Sequence, residues 1–202
     1  MALSVELTPT QESLNEFWAE IATQTLEWIH PWNTVLKGNF SEGNIKWFDG
    51  GQLNVSVNCL DRHLSHKANH RALIWQGDED THQCTLTFHE LYEEVCRMSN
   101  VLKQLGVQKG DVVAIYLPMI PEAAIAMLAC ARLGAVHTVV FAGFSAKALQ
   151  HRIEASACKY LITADNFQRG GKSVALKAQA DEATQMLSIS TLVIKHGQES
   201  VS

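Results

Sequence analysis

The sequence has no excess of positive charge, no long apolar run and no leader-like start. Its formal net charge is -5 and its pI is about 6.0, which argues against a general nucleic-acid-binding protein, because such binding depends on a basic surface. The longest apolar run, residues 123–131, is far shorter than the roughly 20 residues of a membrane span. Residues 1–20 contain glutamates and no basic stretch followed by an apolar run. We therefore predict a cytoplasmic protein whose partners are neither nucleic acids nor membranes.

Closely spaced cysteine pairs are also absent. The five cysteines form no Cys-x-x-Cys motif, and their number is odd. Several lie within apolar patterns, as Cys130 does, so we expect reduced and mostly buried thiols. Hydrophobic residues make up 47% of the chain and charged residues 18%, which is typical of a folded soluble protein and not of a disordered one.

Aromatic residues are concentrated at the start of the chain. Residues 1–55 contain four of the five tryptophans, and apolar residues recur at helical spacing from Glu12 to Ile29. Pro31 follows this pattern closely and favours the end of a helix, and a glycine-rich stretch comes next. We predict a helix followed by an irregular, Trp-rich arm over residues 1–55.

The rest of the chain has the pattern of an α/β domain. A helix is predicted over Asn54–Lys67, and a turn at 77–80 joins two short strands, 72–76 and 83–87. Thr87 and Glu90 have the spacing of a helix capping box. Apolar strands and short links then predict a mostly parallel sheet with flanking helices and right-handed crossovers. The predicted strands are 111–117, 136–141, 160–163 and 191–194, and the helices between them are 121–134, 146–157 and 174–187.

The loop from Asp165 to Ser173 gives the best local signal for a ligand. Arg169 and Lys172 supply positive charge, and the two glycines between them would let the backbone approach a ligand closely. The loop is predicted to open a helix, whose N-terminus would add partial positive charge. A phosphate-binding loop is favoured over a turn with solvated charges. A P-loop is disfavoured, because Asn166 occupies the position of its first glycine.

A second signal is the turn Phe141-Ala142-Gly143-Phe144-Ser145. It follows a predicted strand, at the edge where open α/β sheets bind their ligands. Gly143 would allow a ligand to come close to the backbone. A tight turn with Ser145 as a helix cap explains the same residues equally well.

A third group is the set of soft ligands Cys59, His63, His66 and His70 on one face of the helix predicted over 54–67. Since a helix rises about 1.5 Å per residue, the outer two are about 16 Å apart and cannot share one ion. A solvated helix face is favoured over a zinc site. We predict neither a metal ligand nor a catalytic residue in this chain.

Several segments, taken together, match motifs of a known family. They are Phe17-Trp18 with Trp32, Lys46–Gly51, Asn54–His63, Ala72–Gly77, Lys109–Met119, Pro121-Glu122, Ala131–Ala135 and His137–Ser145. These segments resemble the AMP-forming acetyl-CoA synthetase family, a branch of the adenylate-forming acyl-CoA synthetases. The resemblance covers about residues 15–195. It implies that residues 56–202 are the first α/β portion of a truncated AMP-binding domain.

The resemblance implies a ligase that works in two steps. Acetate and ATP form acetyl-adenylate and diphosphate with magnesium, and coenzyme A (CoA) then displaces AMP to give acetyl-CoA. In the family, the positions of Arg169 and Lys172 contact the 3′-phosphate of CoA. The turn matching Phe141, Ala142 and Gly143 lies along the path of the pantetheine arm. Some family members have glycine where this chain has Ala142.

Three features of the family are not found in these residues. They are the Ser/Thr/Gly-rich phosphate loop, the acyl pocket and the catalytic lysine. We therefore expect that the chain alone does not activate acetate and holds no cofactor tightly. Three alternatives stay open: a piece of a propionyl-CoA synthetase, a stand-alone α/β module that binds CoA or another nucleotide, or a purely structural or interaction domain.

Overall fold

A computed structural model describes residues 11–77, 82–170 and 172–196, and the chain divides into two units, residues 1–54 and 55–202. Most of the turn predicted at 77–80 lies outside the described residues. Within them, no helix combines the length and the hydropathy that crossing a bilayer requires.

The first unit contains one helix and a two-stranded antiparallel sheet. These elements are α1 (Gln11–Thr25), β1 (Thr34–Lys37) and β2 (Lys46–Asp49). The helix ends earlier than predicted, because the chain turns back after Thr25 and the indole Nε1 of Trp28 donates to the carbonyl of Ala22 at 3.0 Å. The rings of Trp28, Trp32 and Phe48 pack with centroids 4.9 to 5.4 Å apart. The Trp-rich stretch therefore has an aromatic core of its own.

The second unit alternates between strand and helix along most of its length. Its elements are α2 (Val55–Cys59), a 3₁₀ turn (Asp61–His63), α3 (Leu64–Lys67), β3 (Arg71–Gln76), β4 (Gln83–Thr87), α4 (Phe88–Gln104), β5 (Val112–Tyr116), α5 (Pro121–Leu133), β6 (Val136–Val139), α6 (Ala146–Ala155), β7 (Tyr160–Ala164), β8 (Phe167–Arg169), β9 (Lys172–Val174), α7 (Leu176–Thr184) and β10 (Ser190–Ile194).

The main sheet has four strands in the order β10-β7-β5-β6, and all neighbours are parallel. This confirms the predicted parallel α/β architecture. The chain moves from β5 to β6 in one direction, then crosses back over β5 to β7 and continues to β10. Right-handed crossovers put α5 on one face and α6 and α7 on the other, in agreement with the contacts of α5 with α4 and of α6 with α7.

The core lies on both faces of β5. Its residues Val113 to Tyr116 are completely buried, as expected of a central strand covered by helices on both sides. Leu102 of α4 and Leu149 of α6 are also fully buried, and both belong to the cluster that contains β5. The hydrophobic core therefore holds β5 rigidly in place, and with it the loop that follows the strand.

The single helix predicted over Asn54–Lys67 is wrong. The structure has three short helical pieces, and the break falls at Leu60, whose φ and ψ of -123° and -67° leave the helical region. Leu60 is buried in the core, while the next residue, Asp61, binds Arg132 of α5 through both carboxylate oxygens. These two tertiary contacts outweigh the helical pattern, because they require adjacent side chains to reach different partners.

The predicted burial of the cysteines is wrong for most of them. Cys130 is buried, Cys59 is exposed, and the remaining three are partly exposed thiols. Burial raises the pKa of Cys130 to about 12, so this thiol stays protonated and unreactive near neutral pH.

The predicted capping box at the start of α4 is confirmed. The hydroxyl of Thr87 accepts from the backbone N–H of Glu90 at 3.2 Å, and the Glu90 carboxylate accepts from the backbone N–H of Thr87 at 2.8 Å. The bonds from the backbone and hydroxyl of Thr87 lower the pKa of Glu90. The carboxylate therefore contributes stability at neutral pH, and this contribution is lost as the pH falls below the ordinary range of a glutamate.

Replacing Thr87 by alanine should lower the free energy of unfolding by about 1 kcal/mol, because an N–H at the helix start loses its acceptor. Urea unfolding followed by far-ultraviolet circular dichroism measures the change. Thr87→Ser keeps the hydroxyl and serves as the control. Equal stability of the alanine and serine variants would show that the cap contributes nothing.

Candidate functional site

The two segments predicted to bind a ligand follow strands that end at the same edge of the sheet. The strands β5, β6 and β7 are parallel neighbours and end at Tyr116, Val139 and Ala164. The chain leaves β5 toward one face of the sheet and leaves β7 toward the other. In doubly wound sheets, a crevice opens at the edge between two such strands. The turn 141–145 comes from β6 on one side of β5, and the loop 165–175 comes from β7 on the other.

The turn 141–145 is compact and partly buried. Its backbone closes with a hydrogen bond from the N–H of Phe144 to the carbonyl of Phe141 at 3.0 Å. Ala142 is buried, whereas the Phe141 ring is about half exposed and packs edge-on against Phe144 with centroids 5.9 Å apart. The Ser145 hydroxyl accepts from the N–H of Ala148 at 3.4 Å, so the predicted helix cap is present. The turn combines a fixed backbone with an apolar rim.

The hydroxyl of Tyr116 lies under this turn. It is 2.7 Å from the carbonyl oxygen of Phe144, 2.8 Å from Oε1 of Gln179 on α7 and 3.3 Å from the carbonyl oxygen of Ala142. Tyr116 is completely buried, and this burial raises the pKa of its hydroxyl. The group is therefore a neutral hydrogen-bond donor that joins the end of β5 to the turn and to α7.

The loop 165–173 is not the helix-opening loop that the sequence predicted. It forms a hairpin of β8 and β9, in which Arg169 pairs with Lys172 and Phe167 pairs with Val174. The next helix, α7, begins only at Leu176. The strand β9 occupies residues 172–174, so Lys172 does not lie at the N-terminus of the helix predicted to begin at Val174. The reason is packing. Phe167, the first residue of β8, is buried in the core, and Val174, the last residue of β9, packs against the same core, so the open end of the hairpin is fixed.

Gly170 follows Arg169 at the end of β8. Gly170 has a φ of +57°, in the left-handed region that glycine adopts without strain, and Gly171 lies outside the described residues. Lys172 is exposed beside the tip, and the Arg169 side chain lies outside what the structure describes. Among the described contacts, none joins Lys172 to the turn 141–145.

Asp165 ties the base of the hairpin to the sheet. Its Oδ1 accepts from the backbone N–H groups of Asn166 and His196, both at 2.8 Å, and its carbonyl accepts from the N–H of Lys177 at 3.1 Å. The residue is buried. Asp165 therefore has a structural role at the base of the hairpin.

One further cation lies beside the turn. The guanidinium of Arg152 on α6 stands over the ring of Phe144, 5.1 Å from its centroid. Lys177 of α7 instead pairs with Asp181 at 2.7 Å. Arg152 thus gives the turn a positive neighbour that the sequence pattern did not reveal.

Two cavities of the second unit are lined by none of the residues predicted to bind CoA. A groove of about 420 Å³ lies between α4, the start of α5 and β10, and a smaller one of about 260 Å³ is lined by residues 64–70, including His66 and His70. In the part of the chain that the structure describes, no three histidine, cysteine or acidic side chains come together as metal ligands.

Comparisons with known proteins agree with this architecture. The model of a family described as AMP-binding enzyme matches residues 60–201. The chain belongs to the AMP-binding enzymes. A second family model, described as acetyl-coenzyme A synthetase N-terminus, matches residues 10–59 of this AMP-binding enzyme chain.

Curated relatives of this member of the AMP-binding enzymes are much longer. It is 56% identical over 179 residues to acetyl-coenzyme A synthetase of Saccharophagus degradans, an alignment that covers 87% of this chain. It is 49% identical over 184 residues to acetyl-coenzyme A synthetase 2 of Pseudomonas aeruginosa, covering 91% of this chain. The chain spans 28% of the length of each of these relatives.

A solved structure shares the fold. Acetoacetyl-CoA synthetase from Streptomyces lividans superposes with a TM-score of 0.83 at 29% sequence identity, over 94% of this chain and 30% of that chain. The arrangement of strands and helices in this AMP-binding enzyme chain is therefore also found in a longer acyl-CoA synthetase.

The sequence did not single out Tyr116, Gln179 and Arg152. Tyr116 gave one usable signal, since it places a polar group at the end of an otherwise apolar central strand, and a buried hydroxyl needs a partner. Gln179 and Arg152 are polar residues on ordinary amphipathic helices, and only the packing of α6 and α7 shows which loop they face.

Proposed function

We propose that this chain is the N-terminal part of a cytoplasmic acetate–CoA ligase. In this proposal, the edge of the sheet at which β5, β6 and β7 end contributes to binding CoA. The full reaction would convert acetate, ATP and CoA to acetyl-CoA, AMP and diphosphate with magnesium. The observation that supports this best is the identity of 49 to 56% to acetyl-coenzyme A synthetases over most of the chain. We assign none of the described residues to ATP, magnesium or acetate.

In this proposal the hairpin β8–β9 binds the 3′-phosphate of CoA. Arg169 pairs with Lys172 across the two strands of the hairpin. Two cationic residues therefore lie opposite each other in the sequence register. Two cationic residues beside Gly170 suit a phosphate group, because charge-assisted hydrogen bonds to phosphate are strong and glycine leaves room for it. This binding needs no helix dipole, since α7 begins only at Leu176.

The turn 141–145 would contact the pantetheine arm. Phe141, Ala142 and Gly143 present an exposed ring, a buried methyl group and a position without a side chain. An extended chain of amides and methylenes fits such a surface, because the ring offers apolar contact and the bare backbone offers hydrogen bonds. The methyl group of Ala142 points into the protein and leaves the outer surface open.

The proposal is tested by titrating the 202-residue chain calorimetrically with CoA and with dephospho-CoA. We expect the double variant Arg169→Ala/Lys172→Ala to weaken CoA binding about tenfold or more, since each bond to a charged group is worth roughly 1.5 to 3 kcal/mol. Dephospho-CoA lacks the 3′-phosphate, and the double substitution should change its binding little.

The matched control is Arg97→Ala/Lys103→Ala, which removes the same two charges from α4. It should leave the preference for CoA over dephospho-CoA unchanged. Equal binding of CoA and dephospho-CoA by the unaltered chain would contradict the phosphate assignment. A folded chain that binds neither ligand would contradict the CoA-binding part of the proposal altogether.

A further inference from the structure

We propose that Tyr116 and Gln179 are positioning residues that hold the turn 141–145 in the shape that an amide-containing chain recognises. This inference rests on the proposed function of the same turn as the pantetheine contact. It adds the two side chains that set the direction of the turn's backbone groups. Neither residue belongs to the turn or to the hairpin.

Three segments of the chain meet at one buried hydroxyl, that of Tyr116. Within 3.3 Å the Tyr116 oxygen has two carbonyls of the turn and the carboxamide of Gln179. A phenol donates one proton, and the carbonyl of Phe144 at 2.7 Å is its closest backbone acceptor. A half-turn of the Gln179 carboxamide places its N–H toward the hydroxyl oxygen, and the group then donates and accepts at the same time.

The carbonyl groups of the turn 141–145 have a defined direction. All described peptide bonds are trans, so each carbonyl points opposite to the N–H of the next residue. The carbonyls of Ala142 and Phe144 point toward Tyr116. The N–H groups of Gly143 and Ser145 therefore point away from it. The buried hydroxyl thus fixes which face of the turn presents backbone donors, and a chain with amide carbonyls needs donors.

The turn is supported by rigid elements. Tyr116 ends β5, a strand whose last four residues are fully buried, and α7, which contains Gln179, also packs against β7 and α6. Two elements of the core therefore support the turn, in addition to the hydrogen bond from the N–H of Phe144 to the carbonyl of Phe141. Precise binding geometry depends on such support from residues that do not touch the ligand.

The closing experiment compares Tyr116→Phe with Tyr160→Phe in the 202-residue chain. The control removes the same atom from the first residue of β7, where the hydroxyl lies near Gly106. Amide hydrogen exchange is measured at Phe144, whose N–H is bonded to the carbonyl of Phe141, and CoA and dephospho-CoA are titrated. We expect Tyr116→Phe to speed exchange at this amide roughly fivefold, the worth of about one neutral hydrogen bond. The control should not.

The ligand titrations separate positioning from general support of the fold. Tyr116→Phe should weaken CoA and dephospho-CoA by the same factor, roughly fivefold, because both ligands contain the pantetheine arm. The preference for CoA over dephospho-CoA then stays constant. For Arg169→Ala/Lys172→Ala, by contrast, we expect this preference to disappear. Gln179→Ala should act in the same direction as Tyr116→Phe.

Each outcome is decisive. If the exchange rate in Tyr116→Phe equals that of the unaltered chain, the inference is overturned. If exchange is faster but the variant binds CoA and dephospho-CoA as tightly as Tyr160→Phe does, the inference is also overturned, because Tyr116 then only supports the fold. If the unaltered chain binds no CoA, the CoA assignment of the turn fails. The exchange rates alone then decide whether Tyr116 holds the turn.

Discussion

Replacing Leu102 by alanine is expected to lower the free energy of unfolding of the second unit by about 3 kcal/mol. Leu102 lies on α4, is completely buried and belongs to the cluster around β5. Alanine removes three carbon atoms from a closely packed site, so the loss combines transfer free energy with an unfilled cavity. Urea denaturation followed by far-ultraviolet circular dichroism measures the change.

The control for this substitution is Leu105→Ala, the residue that follows the end of α4. Leu105 is 36% exposed, so its side chain already contacts water and its loss should cost less than about 1 kcal/mol. Similar losses for the two variants would show that α4 is not packed as the structure describes.

Replacing Arg132 by alanine should lower the same free energy by about 2 kcal/mol. Arg132 binds Asp61 through the two terminal nitrogens of its guanidinium, Nη1 and Nη2, and the carbon between them stands 5.1 Å from the centre of the Tyr92 ring. The two charged side chains are 19% and 28% exposed. The expected loss lies between those of exposed and fully buried ion pairs, because alanine leaves the Asp61 carboxylate half-desolvated without its partner.

A double-mutant cycle with Asp61→Ala isolates the pair itself, and we expect a coupling free energy of about 1 kcal/mol that changes little with salt. The cycle for Lys177 and Asp181 is the comparison, since these residues form an i, i+4 pair with an aspartate that is 56% exposed. That pair should give less than half the coupling and lose it at high salt. No measurable coupling at Arg132 would mean that packing over Tyr92 is its whole contribution.

Most of the α/β architecture could be predicted because local and tertiary preferences agree there. The run Asp111–Leu117 is apolar on both faces, which only a central parallel strand tolerates, and it became β5. The capping box at Thr87 depends on residues three apart, so its hydrogen bonds could be expected before any tertiary contact was known. Pro121 and Gly134 bound α5 for equally local reasons.

The remaining elements were decided by contacts that are distant in sequence. The break at Leu60 follows from the core and from Arg132, more than seventy residues away. The hairpin at 165–174 follows from the burial of Phe167, which a short polar loop does not reveal. At the candidate site, charge and glycine identified the two loops, whereas Tyr116 and Gln179 became visible only when β5, α7 and the turn were placed together.

The uneven distribution of tryptophan has a spectroscopic consequence. Trp18, Trp28, Trp32 and Trp47 belong to the first unit, and several of them are within 4.9 to 6.2 Å of another aromatic ring. In the second unit Trp75 is alone, and its indole donates to the carbonyl of Met119 at 2.6 Å. Intrinsic fluorescence therefore reports mainly on residues 1–54, whereas the helical dichroism comes largely from residues 55–196. Comparing the two signals during one denaturation separates the melting of the arm from that of the α/β unit without any label.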